Sequence, residues 1–213
     1  MIPISARPLF VFAHRGEAHA FLHRPGVRPI DFHFGGFHES PEGFILITGE
    51  GRERVLERLA GVCGAYRERI DRIVHIGVAA ALRPGVGLER IYRIRTIYGA
   101  DGDGVQRTRF ATGDAAAGCD VISLHRHRVD DATAERLAAI APLADREAWA
   151  CASVAALFDL PLRVCKLAVE RSGPGHDCRR RLERAADYSA RLRNHFIETD
   201  GMVAAGPALA ELP

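Results

Sequence analysis

Lysine is nearly missing from this chain. Of 29 basic side chains only Lys166 is a lysine, and the other 28 are arginine. A coding preference for arginine accounts for most of that bias, but it leaves one lysine whose place in the chain is worth following. An excess of either charge is also missing. Twenty-seven acidic residues leave a net charge of +2, so the total gives no sign of the basic face that nucleic-acid binding requires. No apolar run approaches the ~18 residues of a membrane helix, so no membrane partner is expected. Met1 to Phe12 contains one Arg and a short apolar stretch and reads as a first strand rather than an export signal. The chain shows no internal repeat and no composition shift that would mark a linker.

The cysteines exclude a disulfide framework. There are five, Cys63, Cys119, Cys151, Cys165 and Cys178, an odd number at irregular spacing, which favours reduced thiols in a cytoplasmic protein. Cys119, His125 and His127 lack a fourth ligand at standard spacing, so no metal is expected. No other cofactor is implied. The Gly49-x-Gly51 pair lacks the rest of a dinucleotide fingerprint and by itself reads as a tight turn.

What is present is a globular composition, 47% hydrophobic and 26% charged over 213 residues, enough for one domain. Residues 1–200 are expected to form it, and the Ala-, Gly- and Pro-rich tail 201–213 is expected to fray. Short apolar runs alternate with amphipathic stretches. Pro8–Ala13, Ile30–Phe37, Gly43–Thr48, Ile73–Val78, Ile91–Tyr98, Val121–Leu124 and Leu162–Val169 read as strands. Arg52–Tyr66, Asp131–Ile140, Glu147–Phe158 and Asp177–Ile197 read as helices. Strands alternating with helices predict an α/β fold, three layers with a central mixed sheet.

Ligands of such sheets gather at the carboxyl ends of strands. After the first strand comes Ala13-His14-Arg15-Gly16-Glu17. After the third comes Gly49-Glu50-Gly51, and after the fourth comes Gly77-Val78-Ala79-Ala80-Ala81. Asp145-Arg146-Glu147 opens a helix, and the last strand ends in Glu170-Arg171. Glu17, Glu147 and Glu170 are therefore acids that one crevice can collect. Each also has a plain structural reading: the polar face of a short helix, a favourable charge at a helix start, and a solvated loop.

Taken in order, these segments resemble the nucleoside phosphorylase and nucleosidase superfamily, and within it the methylthioadenosine/S-adenosylhomocysteine nucleosidases. Ala13-His14-Arg15-Gly16-Glu17 resembles the Ala-Met-Glu-Glu-Glu that follows that family's first strand. Thr48-Gly49-Glu50-Gly51-Arg52 resembles its Ser-Gly-Ile-Gly-Lys turn. His75-Ile76-Gly77-Val78-Ala79-Ala80-Ala81-Leu82 is similar to Asn-Thr-Gly-Ser-Ala-Gly-Gly-Leu, and Ala144-Asp145-Arg146-Glu147-Ala148 to Val-Asp-Met-Glu-Ala. Leu160-Pro161 through Glu170 resembles Val-Pro and the strand ending Arg-Ala-Ile-Ser-Asp. Glu183-Arg184-Ala185-Ala186-Asp187-Tyr188-Ser189-Ala190 is similar to the C-terminal helix.

The resemblance implies cleavage of an N-glycosidic bond in a nucleoside-like small molecule. By matched position, Glu170 is the catalytic acid and Glu17 activates water. Glu147 binds the ribose with Arg146 beside it, Gly77, Val78 and Ala79 line the turn, and His127 stands where the family has an aromatic against the base. Lys166 takes the place of the Arg in the last strand. A homodimer is expected by the same analogy. Three departures matter: Ser-Asp has become Val169-Glu170, the small-residue turn carries extra methyl groups, and the aromatic has become His127. They leave three readings open: a divergent nucleosidase that uses water, a phosphate-dependent phosphorylase, and a catalytically silent fold that binds a nucleoside-like ligand or a protein partner. The lack of a Ser at Val78, and the carboxylate of Glu17, which would repel phosphate, favour water over phosphate. Alternation along the last strand predicts that Lys166 and Glu170 share a face ~13 Å apart, close only if the strand end curls.

Overall fold

The computed structural model describes residues 6–101, 104–113, 118–125, 130–171, 183–200 and 210–212. The first half of the chain gives β1 (Arg7–Phe12), α1 (His19–Leu22), β2 (Arg28–Pro29), β3 (Phe37–Ser40), β4 (Gly43–Ile47), α2 (Arg52–Tyr66), β5 (Ile70–Ala81) and β6 (Ile91–Asp101). The second half gives β7 (Gly104–Ala111), β8 (Cys119–Leu124), α3 (Asp131–Ile140), β9 (Leu143–Asp145), α4 (Ala148–Leu157), β10 (Leu162–Arg171), α5 (Ala185–Asp200) and β11 (Ala210–Leu212).

The strands form one mixed sheet. β5 lies parallel to β1 on one side and to β10 on the other, and β1 lies parallel to β4. β10 runs antiparallel to β6, β6 is parallel to β8, β8 is parallel to β9, and β9 returns antiparallel to the end of β5. The pairing β5–β10–β6–β8–β9–β5 thus closes on itself and draws the ends of five strands together. Fully buried strands read as unbroken apolar runs, as Leu9–Phe12 and Phe44–Leu46 do, each no more than 3% exposed.

Helices cover both faces. Val55, Leu59 and Val62 of α2 and Ala148, Cys151 and Ala155 of α4 pack with Leu9, Ile73, Leu162 and Val164 on one face. Ala18, Phe21, Tyr188 and Leu192, from the α1 and α5 region, pack with Phe10, Phe12, Val74 and Ile76 on the other. This is the three-layer α/β architecture expected from the alternation. α2 and α3 match their predicted spans. The side chain of Asp130 caps α3 by accepting a hydrogen bond from the Thr133 amide at 2.8 Å, an N-cap of the usual kind.

Two segments differ from the sequence reading. Ile30–Phe37 is not a strand. Gly35 and Gly36 have φ of 67° and 71°, left-handed values that break an extended chain, so pairing is confined to β2 and β3. Phe32 and Phe34, whose alternation suggested a strand, instead pack as loop side chains on the core beside Tyr66. β7 was not foreseen. It pairs antiparallel with β6, with Asp101 opposite Gly104 and Ile97 opposite Phe110. In the tail expected to fray, Ala210–Leu212 lies antiparallel along the outer edge of β7. The Arg-rich start of the last predicted helix, Arg179 to Arg181, lies outside the described residues.

Near its end β10 carries a β-bulge. Lys166 is opposite Gly77, Leu167 opposite Val78, and Ala168 opposite Ala79, but Glu170, not Val169, is opposite Ala80. One extra residue reverses the alternation. Glu170 is therefore in step with Val78 and Leu167, not with Gly77 and Lys166. The expected shared face of Lys166 and Glu170 is corrected on this ground.

Candidate active site

Four strands of the closed circuit each deliver one polar side chain to the face that α4 covers. Asp145 ends β9, Ser123 is beside it on β8, His75 lies on β5, and Lys166 on β10. The side chains of His75, Asp145 and Lys166 are each 1% exposed. Lys166 Nζ is 2.6 Å from Asp145 Oδ2 and 2.7 Å from His75 Nε2. The Ala148 amide donates to the same Asp145 oxygen at 2.9 Å, and Ser123 Oγ donates to the other at 2.5 Å. Ser123 Oγ also accepts the Trp149 amide at 2.8 Å. These amides open α4, so its first orphan donors are satisfied by the cluster.

Burying a charge is unfavourable unless it is paired and hydrogen-bonded. Here the pairing decides the ionisation. Burial alone would raise the Asp145 carboxyl, but the Lys166 ammonium overcomes it and holds Asp145 well below the usual carboxylate range. Burial would also lower the Lys166 ammonium, yet Asp145 and then Glu147 keep it above its ordinary value. Burial and the Lys166 charge push the His75 imidazole down.

Two further carboxylates stand around this base. Glu17 is 4% exposed. Its oxygens accept the Ala13 amide at 3.2 Å and the Val78 amide at 3.1 Å, which ties the end of β1 to β5. Glu147 is 7% exposed and precedes α4, accepting the Gly51 amide at 3.0 Å. Burial, then the charge of Asp145, raises its carboxyl to about 7, with a smaller push from Glu17. Gly77 keeps a side chain out of the gap between the charges. A carbon placed on its Cα would stand 3.4 Å from both Glu17 oxygens and 3.4 Å from Lys166 Nζ. At the rim, Arg146 bonds Glu50 at 2.9 Å.

The fold thus brings together Glu17, Glu147, Gly77 and Lys166 of the predicted residues. Val78 contributes its amide, and Ala79 is buried in the core at 3% exposure. Glu170 is half-buried at the strand end, on the opposite phase. Lys166 pairs with Asp145, so the curled strand end in which it would meet Glu170 does not occur. His127 lies outside the described residues. Sequence reading missed Asp145, His75 and Ser123 as members of the site. A signal for Asp145 was present, since a lone lysine inside an apolar strand needs a buried counter-ion.

The closed mixed sheet and its two helical layers are those of the nucleoside phosphorylase/nucleosidase fold. Solved structures place it there. A methylthioadenosine/S-adenosylhomocysteine nucleosidase of Helicobacter pylori superposes with a TM-score of 0.76 at 13% identity, covering 91% of this chain and 98% of its own. The corresponding nucleosidase of Colwellia psychrerythraea, solved with adenine, gives 0.77 at 15% identity over 91% and 95%. A futalosine hydrolase of Helicobacter pylori gives 0.76 at 13% identity over 91% and 99%. No family model and no curated protein matches the sequence.

Proposed function

We propose that the protein is a nucleosidase that cleaves the N-glycosidic bond of a nucleoside-like substrate, with water as the nucleophile. The observation that carries this reading is the space above Gly77, bounded by the Glu17 carboxylate and the Lys166 ammonium. A water held there has a base on one side and a cation on the other. Its oxygen attacks the anomeric carbon while Glu17 takes its proton, and the bond to the base breaks with the electron pair leaving on the base. Positive charge that develops on the sugar ring is stabilised by the carboxylates around it. Glu147 is assigned to the ribose hydroxyls, and Arg146 to the rim beside them. Phosphate is the poorer nucleophile for this site, because Glu17, Asp145 and Glu147 would repel its charge. Support for the bond type comes from the fold, since the nucleosidases among its structural neighbours share it at 13–15% identity.

A second reading has its own observation. The bulge turns Glu170, the acid that the resemblance assigns to the departing base, away from the face of Gly77 and Lys166. Without that proton donor the fold would bind a nucleoside-like ligand and leave it intact. The deciding experiment incubates purified protein with a panel of nucleosides, with and without phosphate, and measures free base and free sugar. Phosphate-independent release that disappears in Glu17→Gln supports the nucleosidase. Ligand binding without release supports the silent reading, and sugar phosphate as product refutes water as nucleophile. In an active preparation Glu170→Gln then tests the acid, whose loss from a working position lowers the rate ~100-fold or more.

A further inference from the structure

We infer that His75 is a positioning residue for Lys166: a neutral imidazole, fixed as the Nδ1–H tautomer, that takes one ammonium proton and leaves another for whatever occupies the space above Gly77. The inference deepens the nucleosidase reading and rests on it for its kinetic arm only.

The tautomer follows from the partners. His75 Nδ1 lies 3.2 Å from the carbonyl oxygen of Val11. A carbonyl can only accept, so Nδ1 carries the hydrogen. Nε2 lies 2.7 Å from Lys166 Nζ, and an ammonium can only donate, so Nε2 is the bare nitrogen. A protonated ring would set an N–H against three ammonium hydrogens at that distance. Its only relief would be Asp145 Oδ2, 3.6 Å away, beyond hydrogen-bond length. The charged groups that act on the pair are Asp145 at the end of β9, Glu147 at the start of α4 and Glu17 beyond β1.

An ammonium has three hydrogens in fixed tetrahedral relation. Asp145 takes one and His75 takes a second. With both fixed, the third has its direction set. Gly77, opposite Lys166 in the β5–β10 register, is the residue whose missing side chain leaves room within 3.4 Å of Nζ. Asp145 alone would set the torsion about the Cε–Nζ bond but leave two hydrogens unengaged. His75, on a different strand, engages one of them and holds the ammonium more firmly in that orientation, which leaves a single hydrogen to donate. Such partners of an acting group commonly matter 10–100-fold although they touch no substrate.

Two measurements test this. In nitrogen-15 NMR of the full chain, with His75 assigned by its loss in His75→Gln, the ring is expected to show a neutral Nδ1–H tautomer unchanged from pH 5.5 to 8.5. Titration within that range, or a proton on Nε2, overturns the inference, and this arm holds even if no nucleoside is cleaved. In base release, His75→Leu is expected to lose ~10–100-fold in kcat with KM within about threefold. His75→Gln, whose side-chain oxygen can accept the ammonium proton, is expected to recover to within about fivefold of the parent. Equal losses in Leu and Gln, or a loss confined to KM, overturn it. If His75→Leu does not fold, the NMR titration and a Gln variant close to the parent in kcat keep the test decisive.

Discussion

Replacing Lys166 by Met should damage the fold before it damages any chemistry. The substitution keeps length and apolar volume but removes the cation 2.6 Å from Asp145 Oδ2. Asp145 is 6% exposed and retains only the Ser123 hydroxyl and the Ala148 amide as donors among the contacts described. Removing one partner of a buried ion pair costs about 3–5 kcal/mol, because the other charge is left uncompensated. At ~2–4 °C per kcal/mol for a chain of this size, the midpoint of thermal unfolding should fall by ~6–20 °C. The pH dependence carries the mechanism. Asp145 is depressed in the folded state, so its stabilising effect is present above its unfolded value of ~3.9 and is lost as pH falls through the folded value. Urea unfolding of parent and variant should therefore differ most near pH 7 and converge in strong acid. Pairing Lys166→Met with Asp145→Leu should recover much of the loss, since no bare charge then remains. A single-variant loss below about 1 kcal/mol, or a double variant worse than the sum, would refute the reasoning.

Gly77→Ala should fold normally, because its nearest neighbours stand at ordinary contact distance, yet lose ~10–100-fold in base release by filling the space given to water. Thermal unfolding and single-turnover kinetics on one preparation check both halves. Glu147 has a raised carboxyl, at about 7, so its contribution is fully present below its unfolded value of ~4.3 and is lost as pH rises through the folded value. Glu147→Gln should accordingly gain stability relative to the parent between pH 5 and pH 8, and a difference flat with pH would count against it. Burial pushes the Cys63 thiol to about 12 and the Cys119 thiol to about 11, and raises Cys151 far above its usual value. In a Cys178→Ser background these three thiols should resist Ellman's reagent until the protein is unfolded.

The layers of this fold are legible in the sequence because they rest on local periodicity. The stripe Val55, Leu59, Val62 dictates α2, and the runs Leu9–Phe12 and Phe44–Leu46 dictate buried strands wherever they pair. The positions of Glu17 and Glu147 were also readable, as acids following a strand and opening a helix. The centre of the site was not. Asp145, His75, Ser123 and Lys166 lie on four strands and become neighbours only when the β5–β10–β6–β8–β9 circuit closes. No local pattern encodes that closure. The Ile30–Phe37 loop failed for another reason. Its alternation is real, but two consecutive left-handed glycines decide the path.

The bulge at the end of β10 changes what an aligned residue means. Counted along the chain, Glu170 stands four places after Lys166, the interval at which the resemblance sets its acid after its arginine. Counted against β5, it is only three places on, since Lys166 faces Gly77 and Glu170 faces Ala80. Linear distance and sidedness have come apart within five residues. A strand end of this kind can retain an acid in sequence while withdrawing it from the crevice, with a one-residue shift in pairing as the whole difference. Regular pairing through this stretch, with Val169 opposite Ala80, would return Glu170 to the side of Lys166 without changing a single residue.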